Sequence, residues 1–543
     1  MSENLPIRYR FHKVADLRWL ITIHSFVFVA LTLMSRPVAA QMDTTEIAQK
    51  RMNEVFSLID KNYVTTPDMS RMSDEAVRAM LKALDPHSVF IAAKDVQRAN
   101  EGLVGNFEGV GITFQINNDT IFVGDVIDGG PSEKVGLQRG DRIIRIDGQS
   151  ATGDSITNSY VTSHLRGKKG TVVVVDILRE GQELSFHITR DKIPLYSVDT
   201  WFMADDKTGY IRLARFARTS VDEFRKAQKQ LQKQGMQNLI LDLRGNSGGY
   251  LDIACGLVNE LLPKGRLIVY TEGRLAARQD FHTRGSGSFR EGTLVVLIDE
   301  NSASASEIVS GAVQDWDRGT LIGRRTFGKG LVQRMFTLSD GSQVRLTTAR
   351  YYTPSGRCIQ KPYDKGSEDY NSDIARRYSS GELVNLDSIH LPDSLKFSTA
   401  GGRTVYGGGG IMPDIFVPMD TMRLSDYYIA LRSKGLVNGF PLTWADSHRD
   451  DPRLKDFDSF LQHYDEFDVD AAFAKYAAEK NIVRDTALEA KQPERTRHSD
   501  DYLHLVLKAQ VARNLFGTEY YYRIMCAIDE GYQRAVRELR VEN

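Results

Sequence analysis

The chain has 543 residues, 41% of them apolar and 26% charged, with a formal net charge of −1. That length exceeds one ordinary domain, and the composition is that of a globular protein rather than a disordered or fibrous one. The near-zero charge and the lack of a long basic run argue against a nucleic-acid partner, while three scattered cysteines (Cys255, Cys358, Cys526) give neither a disulfide framework nor a CxxC pattern.

Arg8, Arg10, Lys13 and Arg18 precede an apolar run at 19–34, and Val38-Ala39-Ala40 follows with small residues where a signal peptidase cuts. This is an export-signal pattern, with residues 1–40 expected to be removed after Ala40. His24 and Ser25 interrupt the run, which weighs against a permanent span. The expected location is the periplasm or cell envelope, with membrane contact only through an uncleaved N-terminal segment.

Residues 41–105 read as helical, with Ile47, Met52, Val55, Phe56 and Ile59, then Ala76, Val77, Met80, Leu81 and Leu84 near helical spacing. Asp85-Pro86-His87-Ser88 breaks that pattern as a turn, and the isolated His87 is read as a capping or core residue. From 106 to 192 short alternating runs at 111–116, 121–126, 142–146, 171–178 and 184–189 read as strands, with one helix at 155–165. From 193 onward strands and helices alternate. Strands are expected at 209–213, 238–243 and 293–298, helices at 220–234, 250–262 and 307–316, and a hairpin at 332–338 and 343–352. Residues 361–405 are polar and read as an insertion, and 421–543 is helical. Tyr520, Tyr521 and Tyr522 in that last stretch need only core packing.

The chemistry concentrates in two motifs. SASASE at 302–307 follows a buried strand and opens a helix, so Ser304 sits at a helix N-terminus, where unpaired N–H groups and a positive dipole suit a nucleophile that creates an oxyanion. Taken alone, SASASE also fits a small-residue helix cap. FGKGLVQ at 327–333 supplies Lys329 as a candidate base. A lysine ordinarily titrates near ~10.4, so burial must depress it before it can accept a proton. Gln333 can orient the amine without adding the opposite charge that would raise its pKa. No histidine lies near either motif, which weakens a Ser-His-Asp reading.

A glycine loop, DLRGNSGG at 242–249, also runs from strand to helix, and one of its N–H groups with that of Ala305 would make a two-donor oxyanion hole. Gly323 to Lys329 fits the start of a phosphate loop, but Gly330 replaces the Ser/Thr that holds Mg²⁺ and the following residues read as a strand, not a helix. In the β unit, Val110, Gly111, Ile112, Thr113 and Phe114 form a glycine–apolar entry to a strand. Backbone N–H groups there can hold a peptide carboxylate while the peptide adds as a further strand, and a β-carbon at Gly111 is expected to obstruct that approach.

These motifs, with LDPHS at 84–88 and GGIMPDI at 409–415, resemble the carboxyl-terminal processing peptidases, the tail-specific protease family, over roughly 47–420. The resemblance implies a PDZ domain set before a serine-protease core with a Ser/Lys/Gln centre. It maps to Ser304, Lys329 and Gln333, with oxyanion donors at Ala305 and Gly249, the neighbouring Gly248 being the other choice. The expected fold is multidomain α+β. A signal peptide (1–40) and a helical N-terminal region (41–105) precede a mostly β PDZ domain (106–192), an α/β protease core (193–420, with the insertion 361–405) and a helical C-terminal region (421–543). The expected activity is serine endopeptidase cleavage near the C-terminal tails of unfolded or processed envelope proteins. Its partners are proteins or peptides with free C-termini, with an adaptor or oligomer as further candidates. No metal or cofactor is implied. The competing readings are a catalytically idle PDZ scaffold that binds peptides and a nucleotide-binding protein.

Overall fold

The computed structural model describes residues 36–541 apart from 118, 128, 286 and 421–423, so the apolar run at 19–34 lies outside the described residues. The described residues fall into two units divided between residues 79 and 80. In the first, the helix Arg36–Asn62 and most of Met69–Lys82 carry the helical spacing of 47–59 and 76–81.

In the second unit the DPHS turn leads not into further helix but into the strand Val89–Ile91, which pairs antiparallel with residues 343–345 of the strand Gln343–Tyr352. That long strand also pairs with Leu331–Thr337 and with Leu267–Glu272. Three residues are too short to show a period, so this strand was not legible in the helical reading of 41–105.

The β unit is a sheet in the order Ile112–Asn117, Thr120–Val126, Arg142–Ile146, Val172–Arg179, Gln182–Thr189, close to the expected runs. Ile121, Val123, Ile143, Val173, Val175 and Ile188 point to one core, covered by the helix Asn158–Leu165. The chain enters along Asn106–Gly109 and leaves along Asp191–Pro194, and these two strands pair antiparallel. The ends of the unit are thereby held side by side, which lets it interrupt a chain that continues on both sides.

The α/β core is a six-stranded sheet in the order Val198–Met203, Thr208–Leu213, Asn238–Asp242, Leu294–Ile298, Thr320–Gly323, Ile415–Phe416, parallel except for its first pair. Its central strands are continuous apolar runs because both faces are covered. Leu239, Leu241, Leu294, Val296 and Ile298 pack under the helices Ser220–Lys233, Leu251–Leu261 and Ala305–Asp315. The alternate residues Ile240, Val295 and Leu297 pack against Tyr532, Ala535, Val536 and Leu539 of the final helix, Glu530–Val541. So the last helix of the chain closes the second face of the core sheet, while the preceding helices from Asp426–Ser433 to Pro493–Phe516 build a core of their own around Phe440, Trp444, Phe460, Tyr464, Phe473 and Leu507. Residues 361–405 contain the helices Ser367–Asn371 and Asp373–Ser379 and the strand Lys396–Ser398 rather than loop alone.

Leu539 is 1% exposed against that sheet face. Leu539→Ala is expected to destabilise the protein by about 2–5 kcal/mol, read as a lowered apparent Tm in thermal denaturation; an unchanged Tm would mean the helix does not close the sheet.

Candidate active site

The strand Leu294–Ile298 ends, and after a five-residue turn the helix Ala305–Asp315 begins, with Ser304 as its N-cap. Ser304 has φ 56° and ψ −111°, a conformation L-residues rarely adopt. Strain of this kind persists only where the surroundings over-determine it, and it is how a strand-to-helix turn presents a nucleophile. The three serines of the motif have separate roles. Ser302 and Ser306 are fully buried, and their hydroxyls donate to the carbonyls of Leu243 and Asn246 at 2.8 Å each. Ser304 alone is partly exposed, and it lines a cleft of about 740 Å³.

Glu307, the final residue of SASASE, occupies the third helical position and is completely buried. One carboxylate oxygen accepts from the Ser304 N–H (2.8 Å) and the Lys329 N–H (2.9 Å). The other accepts from the Thr326 hydroxyl (2.6 Å) and the Gly328 N–H (2.8 Å). One side chain thus fixes the serine turn and the lysine loop to each other. Burial holds its pKa above the ordinary glutamate value, and these four donors offset only part of that rise. Sequence reading missed this residue; the signal was a glutamate three places after an N-cap serine, which is the capping-box position.

Lys329 lines the same cleft, and its amine is held below the ordinary lysine value, chiefly by burial and next by the charge of Arg345. Glu307 and Asp85 oppose that shift. A carboxylate therefore does stand near the amine, though not at 333, and that of Glu307 is already engaged by four donors. Gln333 also lines the cleft, and its amide donates to the Thr347 hydroxyl at 3.5 Å. Thr347 in turn donates to Asp85 (3.1 Å), and its N–H donates to the Ser88 hydroxyl (3.1 Å). The DPHS turn is thus bound to the strand opposite Gln333.

His87 is a cleft residue, not a core or capping one. Its Nε2 lies 2.8 Å from the Tyr370 hydroxyl, and burial, with the charge of Lys329 next, lowers its pKa to about 4. It is neutral at ordinary pH. The sequence hid this because Lys329 and Tyr370 are remote from it along the chain.

The glycine loop meets the serine turn. The Ala303 N–H donates to the Asn246 carbonyl (3.0 Å), and the Gly245 N–H donates to Asp299 (2.9 Å). A β-carbon at Gly248, where φ is +104°, would press on Ser304 Cβ at 2.8 Å. The Gly248 N–H is already bonded to Asn246 Oδ1 (2.9 Å), whereas among the described residues the N–H groups of Gly249 and Ala305 have no acceptor, and both residues line the cleft. The chain after Lys329 is the strand Leu331–Thr337, so Gly323–Lys329 does not open the helix that a phosphate loop requires.

In the β unit the strand Ile112–Asn117 ends the sheet and, among the described residues, pairs only with Thr120–Val126, leaving one edge free. Thr113 is exposed, Ile112 and Phe114 are half-buried, and the Val110 side chain is in the core with its carbonyl taken by Ser132. Gly111 has φ +80°, and a β-carbon there would meet Ile193 at 3.0 Å and Pro131 at 3.2 Å. A side chain at 111 would strain the loop from within rather than obstruct the approach of a ligand, which corrects the expected reason for glycine at this position.

Residues 207–368 match the model of peptidase family S41, residues 109–189 that of the PDZ domain, and residues 427–517 that of a family of unknown function. A carboxy-terminal-processing protease of Bartonella bacilliformis is 36% identical over 426 residues, which is 77% of this chain and 96% of that protein. The chain belongs to the carboxy-terminal-processing proteases. It is accordingly a serine-type peptidase carrying a PDZ domain. A probable CtpA-like serine protease of Staphylococcus epidermidis is 30% identical over 386 residues, 70% of this chain and 77% of that one. The solved photosystem II D1 C-terminal processing protease is 26% identical, covering 68% of this protease and 93% of that chain, with a TM-score of 0.36.

The depressed amine makes a stability prediction. Below both its folded and its unfolded pKa, a lysine whose folded value is lowered costs stability, because the fold penalises the charge that the unfolded chain carries freely. The cost fades as pH rises toward the unfolded value of ~10.4. Lys329→Met should therefore raise the apparent Tm near neutral pH, on the order of 2–4 °C, and the gain should shrink as pH approaches 10. A lowered Tm, or a gain independent of pH, would show that the amine is not held against its charge.

Proposed function

We propose that this carboxy-terminal-processing protease cuts peptide bonds with a Ser304/Lys329 dyad. The reading is carried by one observation: of the three motif serines only Ser304, whose neighbours Ser302 and Ser306 have buried, engaged hydroxyls, lines the cleft that Lys329 also lines, with two unengaged backbone donors beside it. The neutral Lys329 amine takes the Ser304 proton as Oγ attacks the substrate carbonyl carbon. The oxyanion is held by the Gly249 and Ala305 N–H groups, a choice supported by Gly248 having spent its own N–H on Asn246. The ammonium returns its proton to the leaving amine as the C–N bond breaks. Water, deprotonated by the same amine, then cleaves the acyl-enzyme and restores Ser304. Gln333 orients the amine without charging its surroundings, and His87, whose pKa is lowered to about 4, is too weak a base to take the serine proton in its place.

The substrates we propose are unstructured C-terminal tails. The free edge of Ile112–Asn117 takes the tail as an added strand, and the Gly109-Val110-Gly111 turn holds its carboxylate. The N-terminal sequence pattern supports export and work in the periplasm or envelope. Among the described residues no helix is long and apolar enough to cross a membrane.

Ser304→Ala and Lys329→Ala should each abolish cleavage of a denatured protein, with the double variant no worse than either, because the two act as one unit. In the wild type kcat/KM should rise with pH through the lowered lysine pKa, since the base acts only when unprotonated. Activity of Lys329→Ala within tenfold of wild type would overturn the lysine base, and a wild type inert on every unfolded protein would favour the peptide-binding scaffold.

A further inference from the structure

The free edge of the PDZ strand does not face open solvent along its whole length. Thr113, Phe114, Gln115 and Ile116 line one side of a cleft of about 400 Å³, and the other side comes from the C-terminal helical region. Gly435, Asn438 and Gly439, at the start of the helix Leu436–His448, stand opposite, as do Gln510 and Arg513 of Pro493–Phe516. At the far end of the strand the Asn117 amide donates to the Gly439 carbonyl (3.4 Å), and Tyr476 donates to Asn117 (3.5 Å). A further tie runs from the Arg139 guanidinium to the Asn514 carbonyl (2.6 Å). All these wall residues fall within 427–517, the span that matches a family of unknown function.

The direction of a bound tail follows from the two ends of the strand. Its carboxylate belongs at the Gly109–Gly111 turn, beside the C-terminal end of the helix Asn158–Leu165, where the Gly167 N–H donates to the Glu108 carbonyl (3.3 Å). Running antiparallel to Ile112–Asn117, its earlier residues then pass Phe114 and Ile116, toward Asn158 and the helical wall. The cleft is lined by strand residues 113–116, two to five positions past Gly111, so an antiparallel tail that advances residue for residue along the strand reaches the wall roughly two to five residues before the carboxylate.

We propose that the C-terminal helical region is the outer wall of the tail groove and that Arg513 selects tails with an acidic side chain about two to five residues upstream of the free carboxylate. Arg513 is the only charged residue among those lining the cleft, it is exposed, and among the described residues its guanidinium has no ion-pair or hydrogen-bond partner. Beside it the Gln510 amide donates to Asn438 (2.9 Å), so the two neutral wall side chains occupy each other and leave the cation to meet the tail. An unpaired cation at the rim of a groove discriminates by charge, weakly and with strong salt dependence. The wall proposal rests on the reading of the PDZ edge as the tail site, and the test separates the two.

The test uses full-length protein carrying Ser304→Ala and fluorescent tails that share their apolar last three residues. Upstream they carry Asp-Glu, Ser-Ser or Lys-Lys, each with a free or an amidated C-terminus, and Kd is read by anisotropy at low and high salt. The acidic free tail should bind about two- to fivefold tighter than the serine tail, and the lysine tail weakest, with differences shrinking in high salt. Arg513→Gln should remove the ranking and Arg513→Glu reverse it, with Tm unchanged in both because the side chain is exposed. Equal affinities for the three tails, or a ranking untouched by Arg513→Glu, would overturn the proposal. If amidation weakens all tails while upstream charge has no effect, the wall fails and carboxylate capture stands. If charge matters and amidation does not, Arg513 recognition stands and carboxylate capture fails.

Discussion

A carboxylate wholly withdrawn from water must either give up its charge or collect donors, and Glu307 collects four. Hydrogen bonds to a charged group contribute about 1.5–3 kcal/mol each, enough together to offset much of the burial. Their geometric effect matters more. Three of the four donors are backbone groups at 304, 328 and 329, so the same side chain sets the turn that carries the serine and the loop that carries the lysine. Ser304 can hold its strained φ because its own N–H is anchored there and its carbonyl accepts from the Tyr351 hydroxyl at 3.1 Å.

The rest of the core supports that junction from behind. Thr326, which donates to Glu307, itself accepts from the Ile411 N–H at 2.6 Å, so the GGIMPDI segment fixes the loop. Arg377, buried in the segment 361–405, donates to the carbonyls of Thr326 (2.8 Å) and Phe327 (3.3 Å) and pairs with Asp373 (2.9 Å). Gln360 accepts from the Gly330 N–H at 2.8 Å. Lys361 lies 3.7 Å from the centre of the Phe327 ring and pairs with Asp373 at 3.2 Å. The polar stretch that reads as an insertion is therefore a buttress that holds the lysine loop against the serine turn. Its Arg377 satisfies carbonyls that a loop without helix or strand partners would otherwise bury unpaired.

The strand–turn–helix context of Ser304, the sheet of the β unit and the alternation of the α/β core were legible because each rests on a local period or a local turn. The functional neighbours that depend on distant segments were not. His87 reads as an isolated turn histidine until Tyr370 and Lys329 are placed beside it. Arg377 lies in a stretch with no apolar period, and its partners are carbonyls, which every residue has. The final helix shows an amphipathic pattern, but nothing local says that its apolar face belongs to Ile240, Val295 and Leu297. The resemblance alone prefers Gly249 to Gly248, but the physical difference between them, that Asn246 engages the Gly248 N–H, is not legible in the sequence.

The central claim is that Lys329 is neutral enough to act as a base although a carboxylate stands beside it. Its titration can be followed directly by NMR in Ser304→Ala protein labelled with ¹³C at lysine Cε, the Lys329 resonance being assigned by its loss in Lys329→Arg. The account predicts a midpoint below the ordinary ~10.4, moving lower still in Glu307→Gln because the opposing charge is gone. A midpoint at or above the ordinary lysine value would contradict it.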